Sequence, residues 1–190
     1  MTLLTVWPDT DPGNPVIRTS DPAEIAEELK QLGVRYERWP VLPGVTKENA
    51  LEAYRDQVAR VTETEGYVLV DAMEMTPSDD PGWLETAAQS RARFLAEHTH
   101  DDDEDRFFAR GAGVFYLHVG DRVHAVLCEA GDLLSVPENT THWFDMGTRP
   151  DYVSIRFFHD DDGWVGNFTG SDIARSFPTF DQLMADHRAS

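Results

Sequence analysis

The sequence predicts a mainly β protein, a small barrel or double-sheet jelly roll with several helices, mostly in its N-terminal part. Three observations point there. From Gly66 onward the apolar period is two, in short β-branched or aromatic runs: Tyr67–Val70, Arg106–Ala109, Val114–Val119, Val123–Leu127, Leu133–Val136 and Tyr152–Phe158. Gly, Asp, Asn or Pro separates these runs at spacings of about ten residues, the rhythm of a small antiparallel barrel. Ahead of them the apolar residues keep a helical period. With 190 residues, 41% of them hydrophobic, and five Trp, five Tyr and ten Phe, the chain can build one core. No repeat or linker divides it, so we expect one domain over residues 1–190, with a helical front to about 95 and a barrel core over about 96–160.

The elements follow in order. Asp21-Pro22-Ala23-Glu24 supplies an N-cap, a proline at the first helical position and an early carboxylate, and Ile25, Leu29 and Leu32 keep helical spacing until Gly33. A second helix starts after Thr46 and carries Leu51, Tyr54, Val58 and Val61 on one stripe. Met75–Gly82 reads as a loop and Trp83–Leu95 as a helix. Gly120-Asp121 predicts a hairpin turn between two strands. Ser171-Asp172 caps a short helix, and Pro178 precedes a further short amphipathic turn to His187.

Charge excludes several function classes. Sixteen Lys and Arg against 35 Asp and Glu give a net charge of −19, a surface that repels phosphate backbones and anionic lipids, and no basic patch interrupts it. We therefore expect neither nucleic acid nor membrane as a partner. No stretch approaches the ~20 apolar residues of a membrane span, and the first residues lack the basic and apolar regions of a signal peptide, so the expected location is cytoplasmic. The single cysteine, Cys128, reads as a small apolar residue in a reducing compartment. The acidic runs Asp101–Asp105 and Asp160–Asp162 lack the glycine and closing glutamate of a calcium loop and are expected to face water, with Glu104 as the exception.

Chemistry concentrates in Glu97-His98-Thr99-His100-Asp101-Asp102-Asp103-Glu104. In extended chain His98 and His100 share a face, Glu104 has the same parity, and a turn through the aspartates could bring it to a common centre. His142 follows Pro137-Glu138-Asn139-Thr140-Thr141, where a turn could aim it inward. Three imidazoles and one carboxylate suit Fe, Ni, Mn or Zn, and do not suit Ca or Mg. His118, His124, His159 and His187 are read as ordinary surface or packing residues. Cys128 has no companion base and there is no GxSxG, so nucleophilic hydrolysis finds no support.

The frame His-x-His-x3-Glu-x6-Gly, ending at Gly111, followed by Gly131-x5-Pro137 and His142, resembles the cupin superfamily. Cupins commonly carry glycine at the positions of Ala92 and Asn139 and asparagine at that of Met146; Asn139 is a mild departure, because Asn tolerates a left-handed backbone. More specifically, EHTH at Glu97–His100, ExRFF at Glu104–Phe108, HWFDMG at His142–Gly147 and GWVxNFTG at Gly163–Gly170 resemble the acireductone dioxygenase family, from about Phe94 to Phe177.

The resemblance implies a monomeric enzyme of methionine salvage that uses O2 to cleave 1,2-dihydroxy-3-keto-5-methylthiopentene. It implies one Fe2+ or Ni2+ per chain, held by His98, His100, Glu104 and His142. It implies that Arg106 helps to generate the substrate dianion, and that Glu97 and Asp103 serve metal incorporation and conformational coupling. Arg156, on the face opposite Val153, Ile155 and Phe157, is a second candidate anion contact, and Phe94, Phe144 and Trp164 could line the pocket for the methylthioalkyl tail or simply pack the core. The iron form would yield formate and 4-methylthio-2-oxobutanoate; the nickel form would yield formate, carbon monoxide and 3-methylthiopropanoate. Another metal-dependent enzyme on the same barrel, an isomerase or other dioxygenase, or a non-catalytic small-molecule-binding cupin would share the fold and ligand set.

Overall fold

A computed structural model describes residues 1–160 and 165–189. In chain order its elements are β1 (Leu3–Pro8), β2 (Ile17–Thr19), α1 (Pro22–Gln31), β3 (Arg35–Arg38), α2 (Ala50–Ala53), α3 (Arg55–Glu65), β4 (Leu69–Met75), α4 (Pro81–Leu95), β5 (His98–Thr99), β6 (Glu104–Val119), β7 (Arg122–Glu129), β8 (Asp132–Val136), β9 (His142–Asp145), β10 (Tyr152–Phe158), β11 (Asn167–Phe168), a 3-10 turn (Ile173–Ser176) and α5 (Phe180–Ala189). The signals that start α1 and α4 work as expected, whereas the helix expected after Thr46 divides at Tyr54 into α2 and α3 and leaves Leu51 exposed. The Asp21 side chain accepts the Ala23 N–H at 2.8 Å to start α1, and Asp80 accepts the Trp83 N–H at 3.0 Å, which starts α4 at Pro81. Gly120-Asp121 joins Val119 to Arg122 as a two-residue turn, with Gly120 at φ 64° as a type II′ turn requires at its first central position.

All strand pairings among the described residues are antiparallel. One sheet runs β11-β5-β9-β6-β7-β1-β2, the other contains β3-β8-β6-β10-β4, and β6 belongs to both. Its first half, Glu104–Phe107, pairs with β8 and β10; its second half, Ala112–Val119, pairs with β7 and β9. The two runs expected at Arg106–Ala109 and Val114–Val119 are thus one bent strand.

The bend sets which side chains enter the barrel. Before it, Phe107 and Ala109 pack outward and Phe108 inward; after it, Val114 and Tyr116 pack outward and Phe115 and Leu117 inward. A one-residue register shift opposite Val153/Ser154 makes this change of parity, so that Glu104, Arg106, Phe115 and Leu117 serve one interior. Gly111 permits it: its φ is 71°, and a Cβ there would lie 1.8 Å from the Asp151 carbonyl oxygen. Gly111→Ala should therefore destabilise the protein by at least about 2 kcal/mol, lowering Tm by about 4–8 °C in a thermal melt. An unchanged Tm would contradict this account of the bend.

Three departures from expectation have physical causes. The front is not solely helical, because β1 through β4 lie within residues 1–95 and enter the sheets, with β1 pairing along β7 from Leu3↔Leu127 to Pro8↔Arg122. Within it, the expected strand Tyr67–Val70 begins at Leu69 and extends to Met75, where a loop was expected. The acidic run is mostly not a solvated face: Asp105 is buried against Arg35 at 2.5 Å, Asp102 and Asp103 are half-buried, and Asp101 alone is exposed. His124 is buried, and burial pulls its imidazole pKa below the usual value. Cys128 faces the barrel interior, where burial pushes its thiol well above the ordinary range, as befits an apolar packing residue.

Candidate metal centre

The barrel brings His98, His100, Glu104 and His142 together, all buried, with one potential ligand atom from each lying within 4.8 Å of the others. Strand pairing does this locally: His98 on β5 stands opposite His142 on β9, and His142 stands opposite Leu117 on β6. The chain between His100 and Glu104 bends back so that Glu104 can open β6. After β8, Asn139 takes a left-handed backbone, φ 60°, as its side chain allows, and the chain re-enters the barrel at His142.

Backbone carbonyls orient the imidazoles. Nδ1 of His98 lies 2.6 Å from the Ala96 oxygen, Nδ1 of His142 lies 2.8 Å from the Thr140 oxygen, and Nδ1 of His100 lies 2.5 Å from the Val165 oxygen. Each Nδ1 thus carries the proton, which leaves Nε2 as the lone-pair nitrogen in a neutral ring. Yet Nε2 of His100 and of His142 lie 3.0 and 3.1 Å from the same Glu104 oxygen, Oε2. Two lone pairs facing one carboxylate oxygen repel unless a metal ion or added protons stand between them, and although burial lowers the His100 pKa, its bond to Glu104 raises it overall. The donor set therefore fits a divalent transition metal with nitrogen preference. Burial, aided by neighbouring His142, pushes His98 down to about 4, so it stays a neutral ligand at physiological pH. Burial alone would raise the Glu104 carboxyl, but Arg106 first and then the two imidazoles hold it well below the usual carboxylate range.

Arg106 is the cationic partner. It is 1% exposed, its Nη2 donates to Glu104 Oε1 at 2.7 Å, and its guanidinium lies over the Phe144 ring at 4.5 Å and the Phe115 ring at 5.3 Å. Its Nε and Nη1 are buried with no acceptor among the described residues. Donors of a buried cation left without acceptors are costly, and this marks a place for an anionic ligand beside the centre.

The other expected residues divide. Phe94 and Phe144 meet edge to face at 6.4 Å within the interior cluster, and Phe144 also carries the Arg106 guanidinium. Arg156 stands opposite Arg106 across β10 and β6, on the same face, but its Nε and Nη2 both bond the Asp71 carboxylate, at 2.8 and 2.5 Å. Glu97 is turned from the four ligand atoms, accepting from Thr169 Oγ1 at 2.6 Å and pairing with His118 Nδ1 at 2.8 Å. Asp103 accepts the Glu138 N–H at 2.8 Å, tying the Glu104 turn to the chain that leads to His142. Trp164 lies outside the described residues, as do Asp161 and Asp162. Sequence reasoning missed Asp71 and His118, partners remote in the chain with no local signal, and the three orienting carbonyls, which no side-chain motif reports.

Fold and site together define a cupin-type β-barrel with a three-histidine, one-carboxylate candidate metal centre. The chain belongs to the ARD/ARD′ family, whose pattern it matches over residues 6–166. It is 66% identical over 188 residues to an acireductone dioxygenase of Saccharopolyspora erythraea, covering 97% of this chain and 99% of that one, and 56% identical to one of Frankia alni, covering 96% and 91%. Among solved structures it resembles an acireductone dioxygenase from Bacillus anthracis with a cadmium ion in its active centre, at TM-score 0.75 and 29% identity, covering 88% of this chain and 98% of that one.

Proposed function

We propose that the protein is a metal-dependent acireductone dioxygenase that binds one Fe2+ or Ni2+ at His98, His100, Glu104 and His142. The observation that carries this reading is the buried convergence of these ligands beside Arg106, whose Nε and Nη1 lack acceptors among the described residues. The cadmium-containing relative and the family membership support it. A divalent metal held there by His98, His100, Glu104 and His142 would supply Lewis acidity toward an enediolate. The chain does the rest. Carbonyl bonds at Nδ1 fix the tautomers, Arg106 orients Glu104 through Oε1, and its guanidinium favours ionisation of a bound acireductone in a site of low dielectric. Phe94 and Phe144 offer apolar wall for a methylthioalkyl tail, with Trp164 as a further candidate, and Arg156 is a candidate contact for substrate charge once Asp71 yields. Glu97 and Asp103 secure the chain around the ligands, which supports a part for them in metal incorporation and conformational coupling.

In this reading the substrate, 1,2-dihydroxy-3-keto-5-methylthiopentene, supplies the electrons to O2, and the protein acts in methionine salvage as a cytoplasmic monomer. No helix among the described residues is long and apolar enough to cross a membrane. Metal-free protein reconstituted separately with iron and nickel should consume O2 with acireductone. Iron should give formate and 4-methylthio-2-oxobutanoate; nickel should give formate, carbon monoxide and 3-methylthiopropanoate. O2 uptake no faster than the uncatalysed reaction with both metals would overturn the proposal.

A further inference from the structure

Outside the centre, His159 is gripped by acceptors at both ring nitrogens. Just past β10, its backbone N–H donates to Asp102 Oδ2 at 2.8 Å, its Nδ1 lies 2.5 Å from Asp102 Oδ1, and its Nε2 lies 3.1 Å from the Glu65 carbonyl oxygen that ends α3. A neutral imidazole has one N–H and one lone pair, and neither an ionised carboxylate nor a carbonyl can donate to the lone pair. Only an imidazolium satisfies both contacts at once. The ring also lies against Tyr67, with centroids 4.3 Å apart.

What His159 grips is the turn between two ligands, for Asp102 sits midway from His100 to Glu104. The same turn is pinned elsewhere: Asp101 accepts from Asn167 Nδ2 at 2.9 Å, Asp103 from the Glu138 N–H at 2.8 Å, and the His100 carbonyl from the Asn139 N–H at 2.8 Å. Those bonds tie the turn to β11 and to the β8–β9 connection. His159 ties Asp102, in the middle of the turn, to α3, as Arg35 ties Asp105 just beyond the turn to Glu65.

We infer that His159 is a positioning residue for the metal centre: as an imidazolium it clamps the His100–Glu104 turn to the end of α3 and holds Glu104 in place for the metal. The inference rests on the metal-centre reading above. The groups facing His159 are Asp102 and Asp103 from the turn, the Glu65 carbonyl from the end of α3 and Tyr67 from the segment after it; behind them Arg35 is held by Glu65 at 3.0 Å and Asp105 at 2.5 Å, and Asp160 follows in the chain. Burial alone would lower the His159 pKa, but the bonds to Asp102 and to the Glu65 carbonyl, with the charges of Asp102 and Asp103, leave it above the usual 6.5. Because the folded value is raised, the clamp is fully present below the ordinary imidazole pKa and is lost as pH rises through the folded value.

Two measurements test it. In 1H–15N NMR of the metal-free protein near neutral pH, both His159 nitrogens should carry protons, and Asp102→Asn should lower the pH at which one is lost. Second, Co2+ affinity by chelator competition should be weaker by about 10-fold in His159→Gln, with unchanged circular dichroism, and the difference should close as pH rises and the wild-type ring loses its charge. A neutral His159 ring at neutral pH, or equal Co2+ affinity of wild type and His159→Gln at every pH, would overturn the clamp. His98→Ala separates the two readings. If it binds Co2+ as the wild type does, the metal-centre reading fails and the clamp with it; if it loses Co2+ while His159→Gln does not, the clamp alone fails.

Discussion

His142→Ala should leave a folded protein that no longer retains a divalent metal and no longer turns over acireductone. His142 is 1% exposed, and it stands at the one place where β5, β9 and β6 pair side by side. Its Nε2 shares Glu104 Oε2 with His100, so its loss removes a ligand and also unbalances the carboxylate that the others share. Loss of an outer partner of a metal ligand typically weakens affinity by about 10–100-fold, and loss of a ligand itself should exceed that range. His98→Ala should behave alike, because His98 faces His142 across the strand pair with ring centroids 4.5 Å apart. The check is metal content after dialysis, alongside far-UV circular dichroism. Full metal content with full activity in either variant would remove that residue from the ligand set.

Arg106→Ala should separate metal binding from catalysis. Its guanidinium bonds Glu104 through Oε1, whereas Oε2 faces the imidazoles, so the four ligands can still fill at saturating metal when Arg106 is removed, at an affinity lowered by the loss of that bond. What disappears is the buried positive charge whose Nε and Nη1 have no acceptor among the described residues. Removal of one preorganised donor to developing negative charge typically costs about 10²–10³ in kcat, and a comparable loss is expected here with metal content retained. Arg106→Lys should recover little, because an ammonium cannot bond Glu104 and present a second, fixed donor fork to substrate. Wild-type kcat in Arg106→Ala would take this residue out of the mechanism.

How much of this was legible in the sequence follows from where the physical signals lie. The four ligands were readable because parity in extended chain and the spacing of two motifs carry them, and Arg106 because it follows Glu104 by two residues on one strand. Asn139 was readable as a backbone position, since its left-handed conformation suits few other residues, whereas Gly111 stood only at the end of the first motif and its bend depends on the Asp151 carbonyl, remote in the chain. Strand β1 was not. Five of its six residues are buried, so it lacks the alternation that marks a half-exposed strand. Strand β4 was cut short because Asp71 and Glu74 interrupt its apolar run, and both are matched by arginines far along the chain, Arg156 and Arg110. The DDDED run misled for the same reason. A carboxylate cluster reads as solvated when its partners, here Arg35, His159, Asn167 and the Glu138 N–H, are remote in sequence. Local pattern reports faces and turns; it does not report which distant group neutralises a charge.

The same point resolves the charge problem of a chain at −19 that is proposed to bind an anionic substrate. Beside the centre, the positive charge is Arg106, enclosed by Phe115 and Phe144, and the ligand set itself calls for a further cation. The most direct test is X-ray absorption at the metal edge of nickel-reconstituted protein, combined with elemental analysis. One nickel per chain, with scattering from three imidazoles and the remaining ligands oxygen, is the expected result. Nickel well below one per chain, or a shell with fewer than three imidazoles, would contradict the assignment of His98, His100, Glu104 and His142 as a single metal centre.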